Sequence, residues 1–176
     1  MRVTATLIAI VFAMPAAVAA GGQITYFKVH SPVGESMGQG NDYYLTPAGS
    51  LWRVQENAHN GVSVSAGEWR LDVAAPNDSA LHVGQYLGAS EYPNGVPSVP
   101  RMAAIYQLGF CTNLLGSFEI RDVSIGPTGT VERFWATFVQ SCDGGSTYLT
   151  GEIVWNEEES MPSRGSSWSR LKIRYR

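Results

Sequence analysis

The sequence predicts an all-β protein: a mainly antiparallel β-sandwich, jelly-roll-like or Ig-like, with one disulfide. Three observations predict this fold. Short segments of alternating apolar and polar residues follow one another, separated by Gly, Pro or Asn. The chain contains 19 glycines and 9 prolines and lacks a sustained helical periodicity. Its two cysteines flank a segment with the pattern of a hairpin.

The first residues have the features of a secretory signal peptide, residues 1–20. Arg2 precedes an apolar stretch over residues 7–14, and Ala17, Ala19 and Ala20 suit cleavage by signal peptidase. The stretch is well short of the roughly 20 residues that cross a bilayer, and no later segment is apolar enough to do so. We expect residues 21–176 to form a single β-sandwich domain that is secreted or periplasmic and not membrane-spanning.

Short alternating strands are expected in the first half of this domain. Their spacing, with turn residues between them, is typical of a sandwich. The predicted strands are Gln23–His30, Tyr43–Thr46, Leu51–Glu56, Val62–Ser65 and Glu68–Ala74.

A hairpin is predicted around Gly126–Gly129. The segments Ser117–Ile125 and Thr130–Gln140 flank this Gly-Pro-Thr-Gly sequence, which suits a tight chain reversal. A hairpin centred there brings Cys111 and Cys142 together at its open end. Because an exported compartment favours oxidation and no third thiol competes, we expect these cysteines to form a disulfide. Closing this loop stabilises the fold by about 3 to 4 kcal/mol on the chain-entropy account.

A third strand, Thr147–Trp155, completes a meander with this hairpin. Its alternation places Leu149, Ile153 and Trp155 on one face. On the middle strand, one face carries Phe134, Ala136 and Phe138, and the reverse face carries Trp135, Thr137 and Val139. Both faces are apolar enough to be core. The last segment, Ser169–Arg176, alternates Leu171, Ile173 and Tyr175 with basic residues and is expected to be a charged edge strand.

Charge and composition exclude some function classes. The formal net charge is −3, and removal of Arg2 makes it one unit more negative. A nucleic-acid partner is not expected, because such proteins carry a concentrated basic face. The three histidines His30, His59 and His82 form no zinc-binding spacing, and no calcium-binding array of acidic residues is present. We expect neither a metal nor another cofactor.

Gly34–Gly38 matches the G-x-S-x-G nucleophile elbow of serine hydrolases. That elbow lies between a buried parallel strand and a helix, with an acid and a histidine downstream. Here the match lies near the start of the domain, and the sequence after Gly38 does not suit a helix. We interpret the segment as a glycine-rich turn and expect that Ser36 is not a nucleophile.

Paired carboxylates are the remaining route to catalysis. A glycoside hydrolase needs two acidic side chains that are neighbours only in space. The residues that meet this description on neighbouring predicted strands are Glu119, Asp122, Glu132 and Glu152. Solvated strand faces explain the same residues, so we assign no catalytic residue.

The aromatic residues are the better indication of function. Exposed rings stack on sugars or anchor interfaces, although most tryptophans are buried. The tryptophans are Trp52, Trp69, Trp135, Trp155 and Trp168. Trp135 is the first candidate for ligand binding, because its strand neighbours Phe134, Ala136 and Phe138 can supply the core face without it.

Two stretches of the chain resemble a module of exported bacterial proteins whose function is uncharacterised. The early stretch, Ser31–Gly40, resembles S-x-x-G-D-x-I-G-x-G and departs from it at Glu35 and Met37. The late stretch resembles G-x-F-x-V followed by G-x-V-x-x-F-x-A-x-F-x-Q-x-C. It comprises Gly116–Ile120, Gly129–Gln140 and Cys142, with Leu149–Ile153 following. The likeness covers most of residues 27–155. It implies an extracellular bacterial β-module and no known reaction, so it transfers no active-site residue.

Together these observations predict a non-catalytic binding or surface-associated module with carbohydrate as the preferred ligand. Two alternatives stay open: a small extracellular glycan hydrolase with paired carboxylates, and a protein-binding inhibitor or adhesion factor. Two carboxylates about 5 to 10 Å apart in a cleft favour the enzyme. A row of exposed aromatic rings favours sugar binding, and a protruding loop or bare apolar patch favours a protein partner.

Overall fold

The computed structural model describes residues 22–109, 111 and 113–158. They form ten strands and one short 3-10 turn at Pro76–Asp78, with no α-helix among the described residues. The strands are β1 (Gln23–His30), β2 (Asp42–Leu45), β3 (Trp52–Glu56), β4 (Val62–Ala66), β5 (Trp69–Ala74), β6 (Gly84–Glu91), β7 (Arg101–Tyr106), β8 (Leu115–Ile125), β9 (Val131–Ser141) and β10 (Leu149–Glu158). The all-β prediction is confirmed.

The strands form one curled, mixed sheet in the order β2-β1-β10-β9-β8-β6-β7-β5-β4-β3. Every neighbouring pair is antiparallel except β6 and β7, which are parallel where Ser90 faces Arg101 and Glu91 faces Met102. The curl gives a half-barrel, and the two-layer sandwich stays a prediction. We call the strands from β2 to β6 the first half of the sheet and those from β7 to β3 the second half.

The core lies where the two halves face each other. Phe27 of β1 packs edge-on against Trp69 of β5, with ring centroids 6.2 Å apart. Trp52 of β3 stacks on Trp155 of β10 at 6.0 Å with an interplanar angle of 19°. Because these pairs join strands of opposite halves, the inward face of each half is fixed by burial of its large rings.

The predicted meander is confirmed as β8, β9 and β10. On β9 the side chains of Phe134, Ala136 and Phe138 are buried, so this face is the core and the face with Trp135 is the outer one. Cys111 and Cys142 form the predicted disulfide, with Cα atoms 5.2 Å apart.

Two of the strands, β6 and β7, were not predicted from the sequence. β6 contains Gly84 and Gly88, both with positive φ, and these interrupt its alternation. β7 is buried on both faces over Arg101–Ala104, so it shows no alternation either. The predicted signal peptide, Trp168 and the predicted edge strand Ser169–Arg176 lie outside the described residues.

A glutamine connects the two halves through the core. Gln140 of β9 accepts a hydrogen bond from the backbone N–H of Ala104 at 2.7 Å and donates one to the carbonyl of the same residue at 2.9 Å. Ala104 belongs to β7, which is separated from β9 by two strands in the sheet order. The hydrogen bonds between Gln140 and Ala104 therefore connect the two halves of the curled sheet directly.

None of the helical segments in the described part of the chain has the length and apolar character needed to cross a bilayer.

Candidate functional site

A broad depression lies on the outer face of the first half of the sheet. We call it the outer groove; its volume is about 650 Å³. Strands β1, β2, β8, β9 and β10 all contribute to its lining. The outward side chains that line it are Lys28, His30, Asp42, Tyr44, Arg121, Thr137, Val139, Thr150 and Glu152.

Strand alternation explains why these side chains share one face. On β1, Phe27 and Val29 are buried, so Lys28 and His30 point outward. On β10, Leu149 and Ile153 are buried, which turns Thr150 and Glu152 to the outer face in the same way.

The strand registers align six residues of the outer face in one line. Four of them line the outer groove, and the other two lie beyond it on β8 and β6. We call this line the transverse row: Tyr44, Lys28, Glu152, Thr137, Glu119 and Gln85, from β2 to β6. Since neighbouring strands lie about 4.8 Å apart, the row is roughly 24 Å long. It runs across the strands and offers hydroxyl, carboxylate, amide and ammonium groups.

A second, shorter line runs beside it. His30 is in register with Asp42 on β2 and with Thr150 on β10. The line continues through Val139 to Ser117. His30 Nδ1 lies 2.6 Å from Asp42 Oδ1, so this line begins with a hydrogen-bonded pair at the edge of the sheet.

Glu152 occupies the centre of the transverse row. Its Oε1 accepts a hydrogen bond from Trp135 Nε1 at 3.0 Å. Burial and a hydrogen bond to Glu152 raise the pKa of Tyr26 to about 12, so the Tyr26 hydroxyl keeps its proton. Two donors thus fix the direction of the Glu152 carboxylate.

Two tyrosine rings border the groove beside Glu152. Tyr26 and Tyr44 stack with centroids 5.8 Å apart and an interplanar angle of 28°. Lys28 Nζ lies 5.2 Å from the Tyr26 ring centroid. Tyr44 is 62% exposed, so it presents a large apolar surface to solvent. Prediction from sequence missed both tyrosines, because only the strand registers place Tyr26 close to Glu152 and Tyr44 at the end of the transverse row.

Trp135 lies on the outer face as predicted and adjoins the outer groove through Glu152. The guanidinium of Arg121 lies over its ring, 5.3 Å from the centroid. The side chain is half-buried. Arg121 therefore occupies one face of the ring, and the indole N–H is used by Glu152. A direct ligand contact for Trp135 stays a prediction.

The four candidate carboxylates lie on this outer side with different partners. Glu119 and Glu152 both face Thr137, so their backbones are about 10 Å apart. Asp122 Oδ2 accepts a hydrogen bond from Arg133 at 2.7 Å. Glu132 Oε2 accepts one from Ser124 at 2.8 Å. Only Glu119 and Glu152 therefore belong to the transverse row.

Asp122 forms a pair with a carboxyl group that prediction from sequence missed. The hydrogen bond from Arg133 lowers the pKa of Asp122. Burial, followed by the hydrogen bond to Asp122, raises the pKa of Glu157. The two carboxyl groups are therefore shifted in opposite directions, so Glu157 holds its proton to a higher pH than Asp122 does.

The turn that contains Ser36 is organised by Glu35. The buried Glu35 carboxylate accepts hydrogen bonds from Ser31 Oγ at 2.8 Å and from the backbone N–H groups of Met37 and Gly38 at 2.9 and 2.7 Å. The chain turns here, without the strand and helix that a nucleophile elbow requires. Ser36 is exposed at the surface of this turn.

The histidines are far apart in the fold and pair with separate groups. His30 contacts Asp42, and His59 Nδ1 lies 3.1 Å from Asp78 Oδ1. The backbone N–H of His82 donates to the Tyr86 hydroxyl. Across the described ranges, no group of three or more His, Cys, Asp or Glu side chains is suited to hold a metal ion.

Comparison of the chain with protein-family models, curated proteins and solved structures gives no match.

Proposed function

We propose that this protein is an exported, non-catalytic carbohydrate-binding module whose ligand lies in the outer groove. The transverse row, with the exposed Tyr44 ring at its β2 end, is the observation that carries the proposal. Export, to the periplasm or the medium, is part of the same proposal and agrees with the Cys111–Cys142 disulfide.

The chemistry of the groove suits a sugar. A sugar ring has an apolar face that packs on an aromatic ring and hydroxyl groups that both donate and accept hydrogen bonds. Tyr44 supplies the ring. Beyond Lys28, the next two positions of the transverse row are Glu152 and Thr137, which supply acceptors and a hydroxyl donor.

The charge balance of the groove favours a neutral ligand. Lys28 and Arg121 are its cations, and Asp42 and Glu152 are its anions. These charges cancel, and both cations lie over aromatic rings. A polyanion would find no concentrated positive patch here.

The first test is a glycan array probed with residues 21–176, followed by calorimetry on the glycans that bind. Tyr44→Ala should weaken binding about tenfold, equivalent to about 1.4 kcal/mol. Tyr148→Ala is the matched control, since Tyr148 is 54% exposed and lies outside the groove lining. Equal losses in the two variants, or no binding by the unmodified protein, would contradict the proposal.

A glycan hydrolase is the second candidate, because Glu119 and Glu152 flank Thr137 on one face. Their backbones, about 10 Å apart across β9, allow the carboxyl groups to reach the spacing of about 5 to 10 Å that paired catalytic carboxylates have. Release of reducing ends from bound glycans, abolished by Glu119→Gln and by Glu152→Gln, would support the hydrolase. Binding without any release supports the non-catalytic module.

A further inference from the structure

The outer groove continues into a second depression on the same face. This neighbour has a volume of about 200 Å³, and Gln85, Leu87, Ser117 and Glu119 line its far side. Residues 137–139 of β9 line both depressions. The two therefore form one track from β2 to β6, along the whole transverse row.

Within the part of the chain that the structure describes, no loop contributes to the lining of the track at either end. Every residue that lines the two depressions belongs to a strand: β1, β2, β8, β9 or β10 for the outer groove, and β6, β8 or β9 for its neighbour. At one end lies β2, which is an edge of the sheet. A site that recognises the terminus of a chain needs a surface that blocks further units. An open track lets a polymer continue past both ends.

Both ends of the track offer an exposed apolar side chain. Tyr44 is 62% exposed at the β2 end, and Leu87 is 69% exposed at the β6 end. The hydrogen-bonding groups of Lys28, Glu152 and Thr137 lie between them. A long ligand can thus use contacts at both ends, whereas a short one uses only part of the track.

We infer that the track holds an internal segment of a linear, neutral polysaccharide laid across the strands. This inference rests on the proposed function and adds the polymeric nature of the ligand, its orientation and the use of Leu87 as a distal contact. Carboxylates outnumber cations by one along the two depressions when Glu119 is included, which disfavours acidic polysaccharides.

Titration calorimetry with linear glucose, xylose and mannose oligomers of two to six units tests the inference. For a series that binds, affinity should rise with length, and reduction of the terminal sugar to its alditol should leave the affinity of the longest oligomer unchanged. Leu87→Ala should weaken the longest oligomer about five- to tenfold and leave the disaccharide unchanged. Leu115→Ala is the matched control, because Leu115 is 67% exposed and lines neither depression.

The possible failures are distinguishable. Affinity that does not depend on length, loss of binding on terminal reduction, or equal effects of the two leucine variants would overturn the inference. So would binding restricted to branched or acidic glycans on the array. Each of these results leaves carbohydrate binding intact. Absence of binding to every glycan on the array overturns the proposed function and the inference with it.

Discussion

Glu152 shows how the fold orients one carboxylate as a hydrogen-bond acceptor on the outer face of the sheet. Its backbone position comes from the register of β10 between β1 and β9, where it faces Lys28 and Thr137. Its side-chain direction comes from the indole of Trp135 and the hydroxyl of Tyr26. An acceptor that is already oriented loses less side-chain entropy when a ligand binds.

We expect Trp135 to act on binding mainly through Glu152. Trp135→Phe keeps a ring beneath Arg121 but removes the N–H that Glu152 accepts, so glycan affinity should fall about three- to tenfold with little change in Tm. Calorimetry and thermal unfolding measure the two effects. Trp155→Phe is the control, because Trp155 donates to the Val131 carbonyl and stacks on Trp52 in the core. That variant should lose stability and keep its affinity.

A different result would assign Trp135 another role. If Trp135→Phe binds normally and Trp135→Ala does not, the ring itself is the ligand platform, as the sequence predicted. If Trp135→Ala unfolds the domain, the residue is structural.

For single residues, the sequence predicted which face of a strand a side chain lies on better than it predicted which side chains lie beside it. The period of two along β9 correctly separates Trp135 from Phe134 and Ala136. The approach of Tyr26 and Tyr44 to Glu152 depends on β1 pairing with both β2 and β10. β10 follows β1 in the chain only after eight other strands, and alternation within one strand carries no information on its neighbours.

At the scale of elements, the Ser31–Gly40 turn shows what its acidic residue and its small neighbours do in the fold. The Glu35 carboxylate accepts hydrogen bonds from the N–H groups of Met37 and Gly38, as the carbonyls of a neighbouring strand would do in a sheet. Ser31 Oγ donates to Glu35 and accepts from the N–H of Gly40. Glu35 and Ser31 thus hold the backbone of this turn together.

We expect Glu35→Ala to destabilise the protein by about 2 to 4 kcal/mol, because it leaves the buried donors of Ser31, Met37 and Gly38 without an acceptor. Urea unfolding measures the change. Ser36→Ala serves as control and should unfold like the unmodified protein, since Ser36 is exposed. Fluorophosphonate labelling of Ser36, or a Glu35→Ala variant of normal stability, would refute this account of the turn.

The Asp122–Glu157 pair connects β8 and β10 and should make stability depend on pH. Because the pKa of Glu157 is raised in the fold, its contribution is fully present below its ordinary pKa and is lost as pH rises through the raised value. The lowered pKa of Asp122 has the opposite effect: its contribution is present above its ordinary pKa and is lost as pH falls through the lowered value.

We expect Glu157→Gln to gain stability relative to the unmodified protein as pH rises from about 4 to 7, because glutamine carries no proton to lose. Urea unfolding across this pH range measures the difference. Glu158→Gln, at the next and exposed position, is the comparison and should show a much smaller trend, because the charge of Glu158 is the least of the influences that raise the pKa of Glu157. A constant difference between Glu157→Gln and the unmodified protein would show that the pKa of Glu157 is not raised in the fold.

At the scale of the whole molecule, the sequence predicted strands and one covalent link but not the curl. Pairing of β8 with β9 was predictable, because a short turn joins them and fixes their register. The parallel pair β6–β7 was not, because neither strand shows a regular alternation of buried and exposed residues.

Gln140 provides the test of how the two halves are held together. We expect Gln140→Leu to destabilise the protein by about 2 to 4 kcal/mol, because it leaves the buried N–H and carbonyl of Ala104 without partners while keeping a similar side-chain volume. Val139→Thr, at the half-exposed neighbouring position, is the control and should change stability much less.

The two halves should nevertheless unfold together in the Gln140→Leu variant. Contacts such as Phe27 with Trp69 and Trp52 with Trp155 join them through one core and do not involve Gln140. Tryptophan fluorescence and far-UV circular dichroism should therefore give coincident urea transitions at a lower midpoint. An unchanged midpoint would show that the Gln140 link contributes nothing. Separate transitions would show that this one glutamine, and not the shared core, makes the sheet a single cooperative unit.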